Sequence, residues 1–414
     1  MPIHLYAEHL VNIRTLSIQA SLSTATNQET RAVLAADGTQ LSLSHEGENA
    51  AIELPIRVPG GQSKATFVLP PVPTKEISFR FQLEEKPGST FLRGSNDHET
   101  DDIVPWTAVS LTADSEIRCE SCRSIIVSRG KVKVWKDLPS ENWAEMMDFW
   151  HCHRPDVPHD HDHKTPVKGY SADSRLVIQP GVGMVDPVDF VLAVEDCQNL
   201  TTVPSHTSTA EDKDEVSVSL NCSNCSASIG QVHTSSEGYK LRKLALSLSL
   251  SRESPTQSFV PEKWLACHLL SSIETQGVRK FLIRSPFDSK DASSSIRVWI
   301  FNPDINISSS AAPQPRPLRA VKIFWKDAGP QQSSNRDGEQ LNDNEGRLDR
   351  QTLSEGEIEL PAVELKVLRE AFVKSGDLLP EGSKMFQHEW RVALLPRFVQ
   401  ADVESKKGVD MPLR

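Results

Sequence analysis

The chain has 414 residues, 38% of them hydrophobic and 24% charged, and a formal net charge of −11. That length exceeds one ordinary core and predicts about two or three domains. The acidic balance and the lack of any long basic run argue against direct binding to nucleic acid, and no apolar run reaches the roughly 18 residues that a membrane helix needs. The opening MPIHLYAEHLVNIRTL shows neither the basic start nor the apolar core of a secretory signal. A reducing compartment is therefore expected, where Cys-x-x-Cys reads as metal ligation and not as a disulfide.

Residues 1–101 read as a β domain. VNIRTLSIQASL, AIELPIRV, KATFVLP and EISFRFQLE alternate at near period two and are punctuated by VPGGQS and LPPVPTK. Their spacing suits a sandwich or a barrel-like sheet. His4, His9 and His45 are scattered and read as surface or capping side chains.

Residues 102–238 hold most of the chemistry. Cys119 and Cys122 open the region in CESC, and Cys222 and Cys225 close it in LNCSNCSASIG. Two thiolates two residues apart grip one ion from a tight turn, and two such pairs make a closed tetrahedral site, the common structural zinc arrangement. The rivals are a redox dithiol and chance. A redox dithiol sits at a helix N-terminus in a βαβ pattern; here both pairs lead into strand-like sequence. The picture is two β-hairpin knuckles on one zinc, similar locally to the β-tent of cereblon-like and methionine sulfoxide reductase B-like domains, with no reductase activity implied.

Between the pairs, IIVSRGKVKVW reads as strand, turn, strand. Trp143, Met146, Met147 and Trp150 then fall at helical spacing on one face, ending before Pro155. Core packing is the preferred reading for Trp143 and the two methionines. Cys152 and His153 lie at the helix exit. Cys152 is a candidate nucleophile or partner-contacting tip, set against a plain buried thiol; as a nucleophile it needs a separate base and a lowered pKa. The tract His159, His161, His163 with Asp160 and Asp162 reads as a solvated insertion, although such tracts also bind metal. LVIQPGVGMVDPVDFVLAVED predicts a buried strand, a turn and a second strand or short helix, with Asp186 and Asp189 accounted for by the turn. NLTTVPSHTSTAEDKDEV reads as a polar loop. Cys197 and Cys267 read as core thiols.

Residues 239–414 form a mixed α/β region. LRKLALSLSL predicts a half-buried strand, and PEKWLACHLLSSIETQG a helix with Pro261 in its first turn and Gly277 after its end. KFLIRSP, SIRVWIFNPDINIS and RAVKIFWKDA are apolar on both faces and so read as central strands. Residues 327–352 read as a disordered loop. ELPAVELKVLREAFVKSG predicts a helix that buries Leu365, Leu368 and Phe372, and FQHEWRVALLPRF a last strand. The fold class is thus α+β and β-rich. No phosphate-binding glycine loop and no GxSxG elbow is present.

LPSENWAEMMDFWHCHRP, the two cysteine pairs, VWIFNPDINIS followed by AVKIFWKDA, and the closing FQHEWRVALLPRF together resemble the HECT-like family, over about residues 105 to 400. The resemblance implies a protein that binds a ubiquitin-conjugating enzyme and promotes ubiquitin transfer as a ubiquitin ligase. It further implies that Trp143, Trp150, Cys152 and His153 form the partner contact. Some members are tied to pre-mRNA 3′-end processing, so the alternative is a non-catalytic binder or chaperone of an RNA-processing endonuclease, reached through the Cys152 motif. A thioester on a C-terminal lobe is not expected, because no cysteine follows Cys267.

Overall fold

The computed structural model describes residues 3–58, 72–83, 103–138, 178–204, 218–233, 238–285, 295–313, 316–328 and 355–404. The aromatic helix and Cys152 motif, the His/Asp tract, KATFVLP and most of the 327–352 loop lie outside them. The described residues are strand-rich and α+β. They divide into two compact units, one made of residues 1–103 with 261–414, the other of 104–260.

In chain order the first unit begins with β1 (Ile3–Leu10), β2 (Thr15–Leu22), β3 (Arg31–Leu34), β4 (Gln40–His45), β5 (Glu48–Glu53) and β6 (Glu76–Gln82). The second unit contributes β7 (Glu116–Cys119), β8 (Ile125–Val127), β9 (Val134–Asp137), β10 (Val182–Val185), β11 (Asp189–Ala193), β12 (Leu200–Pro204), β13 (Val218–Cys222), β14 (Ser228–His233), β15 (Gly238–Arg242) and β16 (Leu246–Ser249). The first unit resumes with α1 (Pro261–Gln276), β17 (Lys280–Arg284), β18 (Ile296–Ser309), β19 (Leu318–Asp327), β20 (Glu355–Glu359), α2 (Ala362–Ser375), β21 (Met385–Phe386), β22 (Trp390–Pro396) and α3 (Gln400–Val403).

One nine-stranded sheet organises the first unit, with the path β21-β22-β19-β18-β1-β2-β6 and β17 joining β18 to β20. The long strand β18 is its spine. One edge of β18 pairs along its length with β19. The other edge is shared: its start pairs with β17 and its end with β1. The chain's first strand is therefore an interior strand of a sheet whose other half is encoded some three hundred residues later. Residues 1–101 and 261–414 share this sheet, although the sequence placed them in separate regions, and residues 239–260, read above with the C-terminal region, belong to the second unit. The cause lies in β1 itself. Leu5 and Ala7 face one side and pack with Leu16, Ile18, Leu41, Leu43 and Ile52, sandwiching the small β3-β4-β5 sheet against β1, β2 and β6. Tyr6 faces the other side, among Ile305, Ile307, Ala320 and Phe324.

The polar residues of β1 are buried too, which is why its sequence does not announce an interior strand. Glu8 is buried. Its Oε2 accepts from Tyr6 Oη at 3.0 Å and from Lys322 Nζ at 2.7 Å, so β1 is fastened to β19 across β18. Burial and the Glu8 charge push the Tyr6 hydroxyl well above the usual tyrosine range. His9 is buried, and burial lowers its pKa. His45 is also buried, held between Thr24 and Thr30 at 2.7 and 2.9 Å; neither is the surface histidine that the sequence suggested. Lys322→Met keeps the aliphatic stem but leaves a buried carboxylate without its cation. It should cost about 3 kcal/mol, read as a lowered denaturation midpoint; an unchanged midpoint would show that Glu8 is held well enough by Tyr6 alone.

The C-terminal helices form where the periodicity predicts. Pro261 starts α1 and Gly277, at φ +66°, follows it. Trp264 packs edge-on against Phe398 at 4.8 Å. Leu365, Leu368 and Phe372 are the buried face of α2, with Phe372 5.6 Å from Trp325 of β19.

In the second unit a seven-stranded sheet runs β12-β13-β14-β15-β11-β10-β9, and a three-stranded sheet runs β16-β7-β8. The Leu/Ser strand β16 is buried on both faces, not one: Ser247 and Ser249 are as inaccessible as Leu246 and Leu248. LTTVP, read as part of a polar loop, is the edge strand β12, paired with β13 from Leu200↔Cys222 onward. Its threonines suit an extended, half-exposed edge. The Asp186 and Asp189 turn is as expected: Asp186 Oδ1 accepts both the Val188 and Asp189 N–H at 2.6 Å, while Asp189 pairs with Lys240 at 3.3 Å.

Candidate metal centre

The two cysteine pairs sit on two hairpins, β7–β8 and β13–β14, and the hairpins use the same local geometry. In the first, Arg123 N–H donates to Cys119 O at 2.9 Å and Cys119 N–H to Ser124 O at 2.8 Å. In the second, Ser226 N–H donates to Cys222 O and Cys222 N–H to Ala227 O, both at 2.8 Å. Arg123 and Ser226 take the left-handed conformation, at φ +64° and +60°. Each turn thus folds its two thiols to one side, a knuckle closed by its own backbone.

A third segment joins the knuckles. Asn199, at φ +55°, donates from Nδ2 to Ile125 O at 2.9 Å in the first hairpin. Its carbonyl accepts Ser223 N–H of the second at 2.9 Å. Gln198 N–H adds a bond to Ile126 O at 2.8 Å. Sequence reasoning missed this brace. Its only local signal is an asparagine ahead of a strand, the residue type that tolerates positive φ best after glycine.

The result brings together the four cysteines named from the sequence. Their sulfur atoms all lie within 4.8 Å of one another. Cys119 Sγ is 3.7 Å from Cys225 Sγ, and Cys122 Sγ is 3.5 Å from Cys222 Sγ. No disulfide has this separation. A tetrahedral ion with metal–sulfur bonds of about 2.3 Å holds its sulfurs about 3.8 Å apart, so the donor set and its spacing fit a four-thiolate metal ion. Cys119 and Cys222 are buried, Cys122 is half-buried and Cys225 is exposed. Burial pushes the Cys119 thiol up to about 12. Cys122 is held down to about 5 by the Ser124 hydroxyl and backbone amide, which stabilise its thiolate. The remaining described cysteines lie elsewhere: Cys267 is buried in α1, and burial together with Asp196 raises Cys197 to about 12.

Comparison with known proteins agrees with this organisation. The family model described as HECT-like ubiquitin-conjugating enzyme (E2)-binding matches residues 8–392, which takes in both cysteine pairs and both halves of the nine-stranded sheet. An uncharacterized protein of Saccharomyces cerevisiae is 28% identical over 282 residues, 65% of this chain and 73% of that protein. An uncharacterized protein of Schizosaccharomyces pombe is 29% identical over 239 residues, 54% of this chain and 61% of that protein. No solved structure matches. A match running through the N-terminal strands, the four-cysteine centre and the C-terminal sheet covers the fold as a whole: the chain belongs to the HECT-like ubiquitin-conjugating enzyme (E2)-binding family.

Proposed function

We propose that this protein binds a ubiquitin-charged conjugating enzyme and promotes transfer to substrates by positioning the thioester, with one zinc ion held by Cys119, Cys122, Cys222 and Cys225. The observation that carries the reading is the family match across residues 8–392. Zinc is the ion that a four-thiolate set of this spacing most commonly takes. Its role here is a cross-link between two sequence-distant hairpins, since four protein ligands leave no open position for a reactant.

Positioning is favoured over covalent relay because the sequence gives Cys152 no evident base with an orienting carboxylate. A thioester relay needs an accessible cysteine with a usable thiolate. Among the described residues, four cysteines cluster where a metal ion could be held, Cys267 is buried, and burial raises Cys197 to about 12. Cys152 lies outside the described residues and is the one remaining candidate to carry ubiquitin; with Trp143, Trp150 and His153 it is also the proposed partner contact. The reading goes with a cytoplasmic or nuclear protein, where thiolates stay reduced.

The test mixes purified protein with ubiquitin-charged conjugating enzymes and follows loss of the thioester on a non-reducing gel. Faster discharge without any ubiquitin adduct on this chain is the expected result. A reducible adduct that vanishes in Cys152→Ala would replace positioning with covalent relay. No binding and no discharge with any conjugating enzyme would sink the ubiquitin reading and leave a plain binding protein.

A further inference from the structure

Strand β7 reads Glu-Ile-Arg-Cys, and period two sends Ile117 and Cys119 to the buried side. Glu116 and Arg118 go to the other side, where β16 sets Ser249 and Ser247 opposite them in register. Glu116, Arg118 and Ser249 of this face line a cleft of about 380 Å³. Four arginines line it: Arg118 from β7, Arg123 from the first cysteine knuckle, Arg129 from the turn after β8, and Arg252 from the segment after β16. The one acidic residue in the lining is Glu116. In a chain of net charge −11, this is a local reversal of sign.

The arginines are held, not merely crowded. Arg118 places Nε 2.8 Å and Nη2 2.7 Å from Glu116 Oε1, and its Nη1 donates to Arg123 O at 3.1 Å. Arg129 sits 3.9 Å from the other Glu116 oxygen and donates to Ser249 Oγ at 2.9 Å and to Asp114 O. One buried carboxylate thus anchors two guanidinium groups, each of which keeps N–H donors to spare. Arg123 is partnered by Glu120 at the surface. Arg252 is exposed, and no described residue pairs with it.

We propose that this cleft binds a phosphoryl group, carried either by a small phosphorylated molecule or by a phosphorylated side chain of a protein partner. The cations are all arginine, whose planar fork matches phosphate oxygens two at a time. Serine and threonine hydroxyls complete the lining, and no aromatic or apolar side chain is present to stack on a base; that disfavours a nucleotide or a nucleic-acid strand. The volume exceeds a bare phosphate ion and suits a phosphorylated side chain with its immediate neighbours. The site is independent of the ubiquitin reading, so either can fail alone.

The test is calorimetric titration of the full-length, metal-containing protein at low salt with inorganic phosphate, a phosphoserine peptide and the unphosphorylated peptide. Saturable binding of phosphate, tighter binding of the phosphopeptide and none of the unphosphorylated form are expected. Arg252→Ala, at an exposed position, should keep the melting temperature and weaken binding about tenfold; Lys366→Ala, in the other unit, should change nothing. Phosphate bound as tightly as the phosphopeptide supports the site with a small molecule as its source. No saturable binding of either phosphate probe overturns the proposal. So does equal binding of the unphosphorylated peptide, or undiminished affinity in both Arg252→Ala and Arg123→Gln.

Discussion

Removing the metal, by chelation or by Cys222→Ser, is expected to unfold residues 104–260. Without an ion, the two knuckles are joined chiefly through the hydrogen bonds of Gln198 and Asn199. Net of solvent, such bonds contribute about 1 kcal/mol each. A structural four-thiolate zinc contributes on the order of 10 kcal/mol, comparable to the whole stability of a typical domain, about 5–15 kcal/mol. Bound zinc is therefore expected to decide whether this unit is folded. Cys222 is buried at the end of β13, so its serine variant also sets a hydroxyl inside the cluster in place of a thiolate. Elemental analysis should find about one zinc per wild-type chain and much less in the variant. Hydrogen exchange should show the amides of β7, β8, β13 and β14 losing protection. A wild type that is metal-free, or stable through chelation, would exclude the centre as described.

Residues 261–404 expressed alone should fail to fold. They hold both long helices and most of the nine-stranded sheet, and by sequence they look self-sufficient. Yet the far end of β18 has β1 as its partner through Tyr6↔Ser309 to His9↔Asn306. Without β1, a long apolar strand presents an open edge and its apolar face loses Tyr6, an arrangement that aggregates. Supplying residues 1–103 by co-expression should restore a soluble complex, since those residues also lack their partner edge when alone. The readouts are solubility, far-ultraviolet circular dichroism and co-purification of the two fragments. A monomeric 261–404 with a cooperative melt would contradict the shared sheet.

Much of the secondary structure was legible because alternation and helical spacing are local properties. The strands around Leu16–Leu22 and Ile77–Phe81, the helix opened by Pro261, and α2 with its Leu365, Leu368 and Phe372 face all follow from residues within a few positions of one another. β1 was not legible. Its Glu8 and His9 look like surface residues, and they are buried because Tyr6 and Lys322 satisfy Glu8. β12 was read as loop because an edge strand needs only one partner, and its threonines are as polar as a loop's.

The sequence by itself named the four cysteines that the fold brings together. Cys-x-x-Cys twice, each pair followed by strand-forming residues, already names four thiolates and a knuckle for each pair, since the bite of two side chains depends only on their turn. Tertiary structure decided the rest. Asn199 joins the knuckles, Arg252 enters one cleft with Arg118 and Arg129, and β1 enters a sheet with β18. Each depends on a partner a few tens to a few hundred residues away, and a pairing at that distance leaves no period or spacing in the chain to be read.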